Sequence, residues 1–475
     1  MRACLLCFAL LAGCASAPRY EKPQLELPVA WKVEEPFREG APNDAAPKGR
    51  WWERFNDAQL NQLTERALAD SPTLAAAHQR LAQARATLGV VSGQAVPQVS
   101  LTGRTQRFRV TENRPLTNNA SPNFSTTQND FAFGLSASYE ADFAGRVASA
   151  VAGARASLEQ SAADLENVRL LLTADLATAY FNLRQTDIEL DVLARSIDLQ
   201  QRSLTYARTR YDLGAGSSLD VAQQQALLDT TLTQVDILRR QRALFEHALA
   251  TLVGTPAPLF SIAPDAREMT PPAVPIGVPS DVLERRPDIA AAERAMAAAN
   301  AQVGVANAAF YPSITLGATA GLQSRNLDTV FDTPSLVWSL GVSLLQPLID
   351  GGRIRANFDF AQAGYEITVA NYRRVVLGAM QEAEDGITSL AALERATAQA
   401  QVAITSTRRV LDLATARWEG GVATYLDVIT AQQGLLNNER LHTQLQGQRQ
   451  LTAVFLVKAL GGDWQAPPSL AATTP

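Results

Sequence analysis

Apolar residues between Val147 and Asp212 recur with a helical period. Leu176, Leu183, Leu190, Ile197, Leu204 and Tyr211 stand seven apart. No proline breaks the stretch, Gly153 alone interrupts it, and Gly214-Ala-Gly216 follows it. A helix of roughly 66 residues is about 100 Å long at 1.5 Å per residue, deeper than the core of a compact domain. A strict seven-residue repeat keeps one seam against a partner only when the helix supercoils left-handedly. The pattern therefore predicts a long coiled helix over 147–212. The plainer reading is an ordinary helix pair with a break between its members.

The same object recurs over 354–419, ahead of Gly420-Gly421. Arg210-Tyr-Asp-Leu-Gly214 aligns with Arg417-Trp-Glu-Gly-Gly421 at a shift of 207. That shift holds forward to Gly254 against Gly461 and back to Gly145 against Gly352. Upstream, Ser71-Pro72 matches Arg286-Pro287 at a shift of 215. The chain is a duplication whose copies differ by eight residues in one loop, and a repeat of this kind decides the architecture before any fold is named.

Between helices the period switches to two. Val99 and Leu101 alternate with Gln98, Ser100 and Thr102; Phe131, Phe133, Leu135, Ala137 and Tyr139 alternate with small and polar residues. The second copy repeats this with Ile314, Leu316, Ala318, Ala320 and Leu322, then with Trp338, Leu340, Val342 and Leu344. Strands are expected over about 97–108, 129–143, 312–323 and 336–347. Each is about 10 residues, enough for a tilted strand to cross a bilayer, with an apolar face and a small, polar one. A soluble hairpin alternates in the same way, so the weight lies in four matched strands.

Shorter helices are expected over 72–95, 219–252, 287–310 and 426–460, the first and third opening on Pro72 and Pro287, where proline suits a first helical turn. A short amphipathic helix carries Leu60, Leu63, Ala67 and Leu68. The expected organisation is a signal peptide (1–13), an extended N-terminal segment (14–50), a first structural repeat (51–254), a proline-rich crossover (255–280), a second repeat (281–462) and a disordered tail (463–475).

Four strands do not close a barrel; about eight is the practical minimum. An open sheet edge in hydrocarbon leaves backbone groups unpaired at several kcal/mol each. Other copies of the chain are therefore expected to complete it, a dimer with eight strands or a trimer with twelve.

The 475 residues carry a net charge of −5, with 47% apolar and 19% charged residues, and no basic stripe suggests nucleic acid. All three cysteines lie in the first 14 residues, behind Arg2 in an apolar run that ends Leu11-Ala12-Gly13-Cys14. This reads as a secretory signal, and its end resembles a lipobox, which makes Cys14 the expected lipid attachment. A plain signal cut at Ala15 or Ala17 is the alternative. Several acyl chains on one cysteine exceed what stable anchoring in the membrane needs.

Pro275-Ile-Gly-Val-Pro-Ser280, Glu284-Arg-Arg286-Pro287-Asp288-Ile289, Ala292-Glu293, Gly304 and Phe310-Tyr-Pro312-Ser-Ile-Thr-Leu316, together with the duplicated Gly…Leu-Asp-Val turn, resemble the TolC family of outer-membrane efflux proteins, in its OprM/NodT-like lipoprotein branch. The resemblance spans Tyr20 to Gly462. It implies a mainly α chain whose long coiled α-hairpins continue into a transmembrane β-barrel, with four strands per chain and twelve in a homotrimer. It also implies a periplasmic end closed by coiled helices, a periplasmic adaptor protein and an inner-membrane resistance-nodulation-division pump as partners, and a passive duct that needs no cofactor.

No Gly-x-Ser-x-Gly, Walker or dinucleotide motif occurs. His78, His247 and His442 have no second ligand four residues on, so no metal site is expected and they read as surface or packing residues. The candidate residues lie at the two helix-to-helix turns. Gly214, Gly216, Gly420 and Gly421 permit positive φ at helix ends. Asp220 and Asp427 fall in the next helix's first turn, where a carboxylate favours the dipole. Capping and a pore-facing role are both open for each. The resemblance places Asp427 and Thr430 at the closed mouth, with Tyr425 and Leu426 as an apolar constriction beside them. Family members carry aspartate at Thr430 and arginine at Gln433, so a double acidic ring is not expected here. Arg210 and Arg417, before the glycines, are adaptor-contact candidates or solvated helix ends.

Three functions are open on the sequence: an efflux duct for small toxic compounds, a duct for type I protein secretion, and a coiled-coil scaffold. The Arg-Arg-Pro-Asp-Ile run and the lipobox favour the first over the second. Membrane-length strands are not explained by the third.

Overall fold

The computed structural model describes residues 49–113, 125–272 and 285–462. The expected signal peptide, Cys14, nearly all of the extended segment, residues 273–284 of the crossover and the tail lie outside the described residues. A 3-10 turn at Trp51–Phe55 leads to α1 (Ala58–Asp70) and α2 (Pro72–Ser92). Strands β1 (Gln98–Val110) and β2 (Thr126–Ala141) follow, then α3 (Arg146–Asp212) and α4 (Ser218–Leu252). The second half repeats the order with α5 (Pro287–Ala308), β3 (Ser313–Ser324), β4 (Leu336–Leu345), α6 (Arg353–Glu419) and α7 (Tyr425–Ala459).

The duplication is visible in the backbone. Helices α3 and α6 are both 67 residues long, and α4 and α7 are both 35. Positive φ falls on Gly145, Gly214 and Gly254 and again on Gly352, Gly421 and Gly461, the same three places 207 residues apart. A Cβ on Gly254 would collide with the Asp70 carbonyl oxygen, and one on Gly461 with that of Arg285. Each half thus needs glycine where α4 or α7 ends against the chain entering α2 or α5.

Contacts group the chain into two units that cut across the repeats. One takes Leu81–Ser161 and Ala292–Tyr372 and contains the sheet; the other takes the described parts of 24–80, 162–291 and 373–475.

In the first unit the strands form an antiparallel sheet in the order β1-β2-β3-β4. Directly opposed residues share a face, so the pairing shows what each face carries. One face bears the rows Leu101–Leu135–Ala320–Trp338 and Val99–Ala137–Ala318–Leu340, the other Ser100–Ser136–Thr319–Ser339 and Gln98–Ser138–Gly317–Gly341. Leu101 is 79% exposed and Leu340 78%, so nothing among the described residues covers the apolar face. On the polar face Gly134 opposes Gly321 so closely that a Cβ on Gly134 would stand 2.9 Å from the Ala320 carbonyl oxygen. Strand β2 starts three residues before 129, because β1 and β2 run on as a two-stranded ribbon beyond the last β2–β3 pair, Phe131–Ser324.

In the second unit Trp51 and Trp52 are buried, and the Trp51 indole donates to Thr173 at 3.2 Å. Asp57 caps α1 by accepting from Gln59 and Leu60, and it also accepts from the Tyr180 hydroxyl at 2.7 Å. Arg184 is buried; it donates to Asp187 (2.9 Å), the Ala263 carbonyl (2.9 Å) and Gln59. Arg242 donates to Asp187 at 2.6 Å and to the Ile262 carbonyl at 2.7 Å. Two arginines therefore hold the start of the crossover, which has no hydrophobic period of its own. The seven-residue seam of α3 stays buried at Leu176, Leu183 and Leu204 but emerges at Tyr211, which is half exposed.

Candidate functional site

The helix tips belong to the second unit. Both long helices end in the same hydrogen-bonded motif. Ala215 N–H donates to the Arg210 carbonyl and Gly214 N–H to that of Tyr211; Val422 donates to Arg417 and Gly421 to Trp418 in the same pattern. These six-to-one and five-to-two bonds satisfy helix-end carbonyls and require one left-handed residue. That residue is Gly214 (φ 74°) and Gly421 (φ 75°). The expectation of positive φ at Gly216 and Gly420 is corrected: neither adopts it. Gly216 is needed for space instead, since a Cβ there would lie 2.9 Å from the Tyr211 nitrogen. Gly420 meets only an ordinary contact, at 3.4 Å from the Ala416 carbonyl oxygen.

The two tips meet around Trp418. The Arg210 guanidinium lies 4.8 Å from its ring centroid, Tyr206 stands edge-on at 5.3 Å, and Tyr425 lies 4.7 Å away on a tilt. Arg210 also donates to the Ala215 carbonyl at 3.2 Å. Tyr425 is buried, and its hydroxyl donates to Gln224 Oε1 at 2.8 Å. Gln224 Nε2 donates to the Gln200 carbonyl at 3.1 Å, while Gln432 Nε2 donates to Ser203 Oγ at 2.9 Å. Burial pushes the Tyr425 hydroxyl up to about 12; Ser203 opposes the shift and the Asp220 charge adds to it. Two coiled pairs are thus joined by a buried polar cluster within an apolar seam of Leu227, Leu411, Val428 and Leu435.

Asp427 accepts from the Thr424 backbone N–H and hydroxyl at 3.1 Å, closing a capping box at the start of α7. At α4 Ser217 is the cap, and half-buried Asp220 stands beside it without that role. Leu426, Asp427, Thr430 and Gln433 are exposed along one side of α7, whereas Tyr425, Val428, Ile429, Gln432, Leu435 and Leu436 are buried on the other. Thr430 donates back to the Leu426 carbonyl at 2.8 Å. Arg417 is exposed, and only Arg210 of the two tip arginines enters the Trp418 cluster.

The sequence reading did not single out Gln200, Ser203, Gln224, Trp418 or Gln432. A signal for two of them was present. Gln224 precedes Leu227, Leu228 and Thr231 at helical spacing, and Gln432 sits between Val428 and Leu435, so each is a polar residue on an apolar seam. Such residues fix register and partner choice in coiled helices.

The profile of the family described as "Outer membrane efflux protein" matches residues 63–255 and 278–462, one stretch per repeat. The chain belongs to this outer membrane efflux protein family. It is 31% identical over 465 residues to the pyoverdine export outer membrane protein OpmQ of Pseudomonas aeruginosa, covering 98% of this chain and 96% of that one. It is 30% identical to the toluene efflux pump outer membrane protein TtgF of Pseudomonas putida, covering 96% and 95%. The solved outer-membrane channel OprN superposes with a TM-score of 0.87 at 26% identity, over 94% of this chain and 99% of that one. As a member of the family the chain is an outer-membrane efflux channel protein, and its place is the outer membrane. Several of the proteins it resembles are described as outer membrane proteins of efflux pumps.

Proposed function

We propose that three copies of the chain form a passive exit duct across the outer membrane. Through it an inner-membrane resistance-nodulation-division pump and a periplasmic adaptor discharge small toxic compounds. The carrying observation is the sheet, uncovered on its apolar face, small and polar on the other, and open at both edges, β1 and β4. Within one chain, β2 of the first half pairs with β3 of the second. The same half-to-half pairing, repeated from β4 to the β1 of another copy, closes a ring without exposed edges. Eight strands leave an interior that side chains fill, whereas twelve leave a bore. That favours a trimer over a dimer.

In this reading Cys14 carries lipid, Leu426, Asp427, Thr430 and Gln433 face the bore at its periplasmic mouth, and exposed Arg417 meets the adaptor. Arg210, drawn onto Trp418, serves the tip itself. The chain contributes no catalysis; the pump selects the cargo. Recording purified protein in planar bilayers tests this. Stepwise conductance is expected, and silence from correctly folded protein overturns it.

A further inference from the structure

Above the apolar band, the same face of the sheet changes character. The Thr105–Phe131–Ser324 row is followed by Arg107–Asn129 and Arg109–Thr127, on the part of β1 and β2 that runs past β3. Alternation along β1 keeps Arg107 and Arg109 on the face that carries Val99 and Leu101. All four residues of these two rows are exposed. Among the described residues neither arginine has an acidic partner; Arg109 Nε donates to Ser125 Oγ at 2.7 Å. The acid of this ribbon, Asp130, belongs to the opposite face, where it accepts from Arg104 (2.5 Å), Gln106 (3.3 Å) and Gln323 (2.7 Å).

For strands tilted by about 40°, Arg107 and Arg109 stand roughly 5 and 10 Å above the Phe131 row along the membrane normal. With the hydrocarbon ending at the Phe131 row, Arg107 falls within the headgroup layer, about 5–8 Å thick on each side, and Arg109 stands just beyond it, where its long side chain reaches back to the phosphates. A guanidinium there meets phosphate oxygens, and its planar fork matches them with two parallel hydrogen bonds. Asn129 and Thr127 supply neutral donors beside it. The surface continues the apolar face, so its occupant is the molecule that already covers that face.

We infer that Arg107 and Arg109, with Asn129 and Thr127, bind the phosphate groups of a phosphorylated outer-leaflet lipid at the rim of the sheet. The inference rests on the strands crossing the outer membrane. It assigns the rim a chemical preference that the apolar band, blind to headgroups, does not have.

The test uses the full-length protein in phosphatidylcholine vesicles containing either diphosphoryl lipid A or the same glycolipid stripped of phosphate. Wild type is expected to bind the phosphorylated form about tenfold more tightly, in line with two surface arginines acting on anionic headgroups. The Arg107→Gln, Arg109→Gln pair is expected to lose that preference, and the Arg107→Lys, Arg109→Lys pair to keep most of it. Equal affinity of wild type for both glycolipids overturns the inference even if the Gln pair fails to assemble. So does an undiminished preference in the Gln pair. Should that pair fall apart into single chains in both lipid mixtures, the arginines serve subunit contacts, and the inference falls. A wild-type protein that conducts without any phosphate preference fails here alone; one that never conducts fails as a duct.

Discussion

The Tyr425 hydroxyl donates to Oε1 of Gln224 at 2.8 Å, joining the first turn of α7 to α4 across 201 residues of sequence. Both side chains are buried, so breaking the bond inside the folded tip leaves an acceptor without a partner, a loss of about 1–3 kcal/mol. Tyr425→Phe is expected to lower the thermal midpoint of the detergent-extracted protein by a corresponding amount. Burial of the same hydroxyl also sets a pH dependence. The folded hydroxyl holds its proton up to about 12, above the ordinary value of 10.0. A group whose folded pKa is raised contributes stability below its unfolded pKa and loses it as pH rises through the folded one. Wild type should therefore lose an increment between pH 10 and 12 that Tyr425→Phe lacks, measured as the difference between their melting midpoints.

Arg210 and Trp418 are held by a cation over a ring at 4.8 Å. A double-mutant cycle with Arg210→Gln and Trp418→Leu should give a coupling of about 1 kcal/mol. Additive effects would mean that the guanidinium's bond to the Ala215 carbonyl alone keeps it in place.

The adjacent glycines at the second tip should respond differently. Gly421 has open space around it but φ 75°, so Gly421→Ala carries a backbone cost of about 1–2 kcal/mol. Gly420 has no such φ and an ordinary contact distance, and Gly420→Ala is expected to be neutral or slightly stabilising. Chemical denaturation of the two variants separates them.

Asp427 caps α7, the proposed duct adds a bore-facing charge to that role, and two substitutions part the two. Asp427→Asn keeps an oxygen for the Thr424 N–H while removing the charge, so stability should hold within about 0.5 kcal/mol while the closed channel's preference for cations weakens. Asp427→Ala removes both, at about 0.5–2 kcal/mol. Combined with Leu426→Ala it should raise the resting conductance in a bilayer. Unchanged conductance would remove Leu426 and Asp427 from the gate.

Much of the fold was legible because two strong periodicities and one duplication repeat the same information. A seam of residues seven apart with glycines at its end needs little tertiary context, and the alternation at Leu316–Leu322 has one reading once its copy at Phe131–Tyr139 is seen. The site was legible at its edges. Asp427 and the glycines stand out by type, whereas the Gln224–Tyr425 and Gln432–Ser203 bonds join residues more than 200 apart, and no local pattern pairs them. Gly420 and Gly216 were misread because two neighbouring glycines share one left-handed position, and only the backbone shows which one takes it. Tyr211 fits the seam by spacing yet lies in the helix's last turn and is half exposed.

Native mass spectrometry of the detergent-extracted protein tests the central claim most directly, because an uncovered four-stranded sheet open at β1 and β4 has to be completed by other copies. A particle of three chains is the expected result. A single unassociated chain with its strands intact would contradict the account.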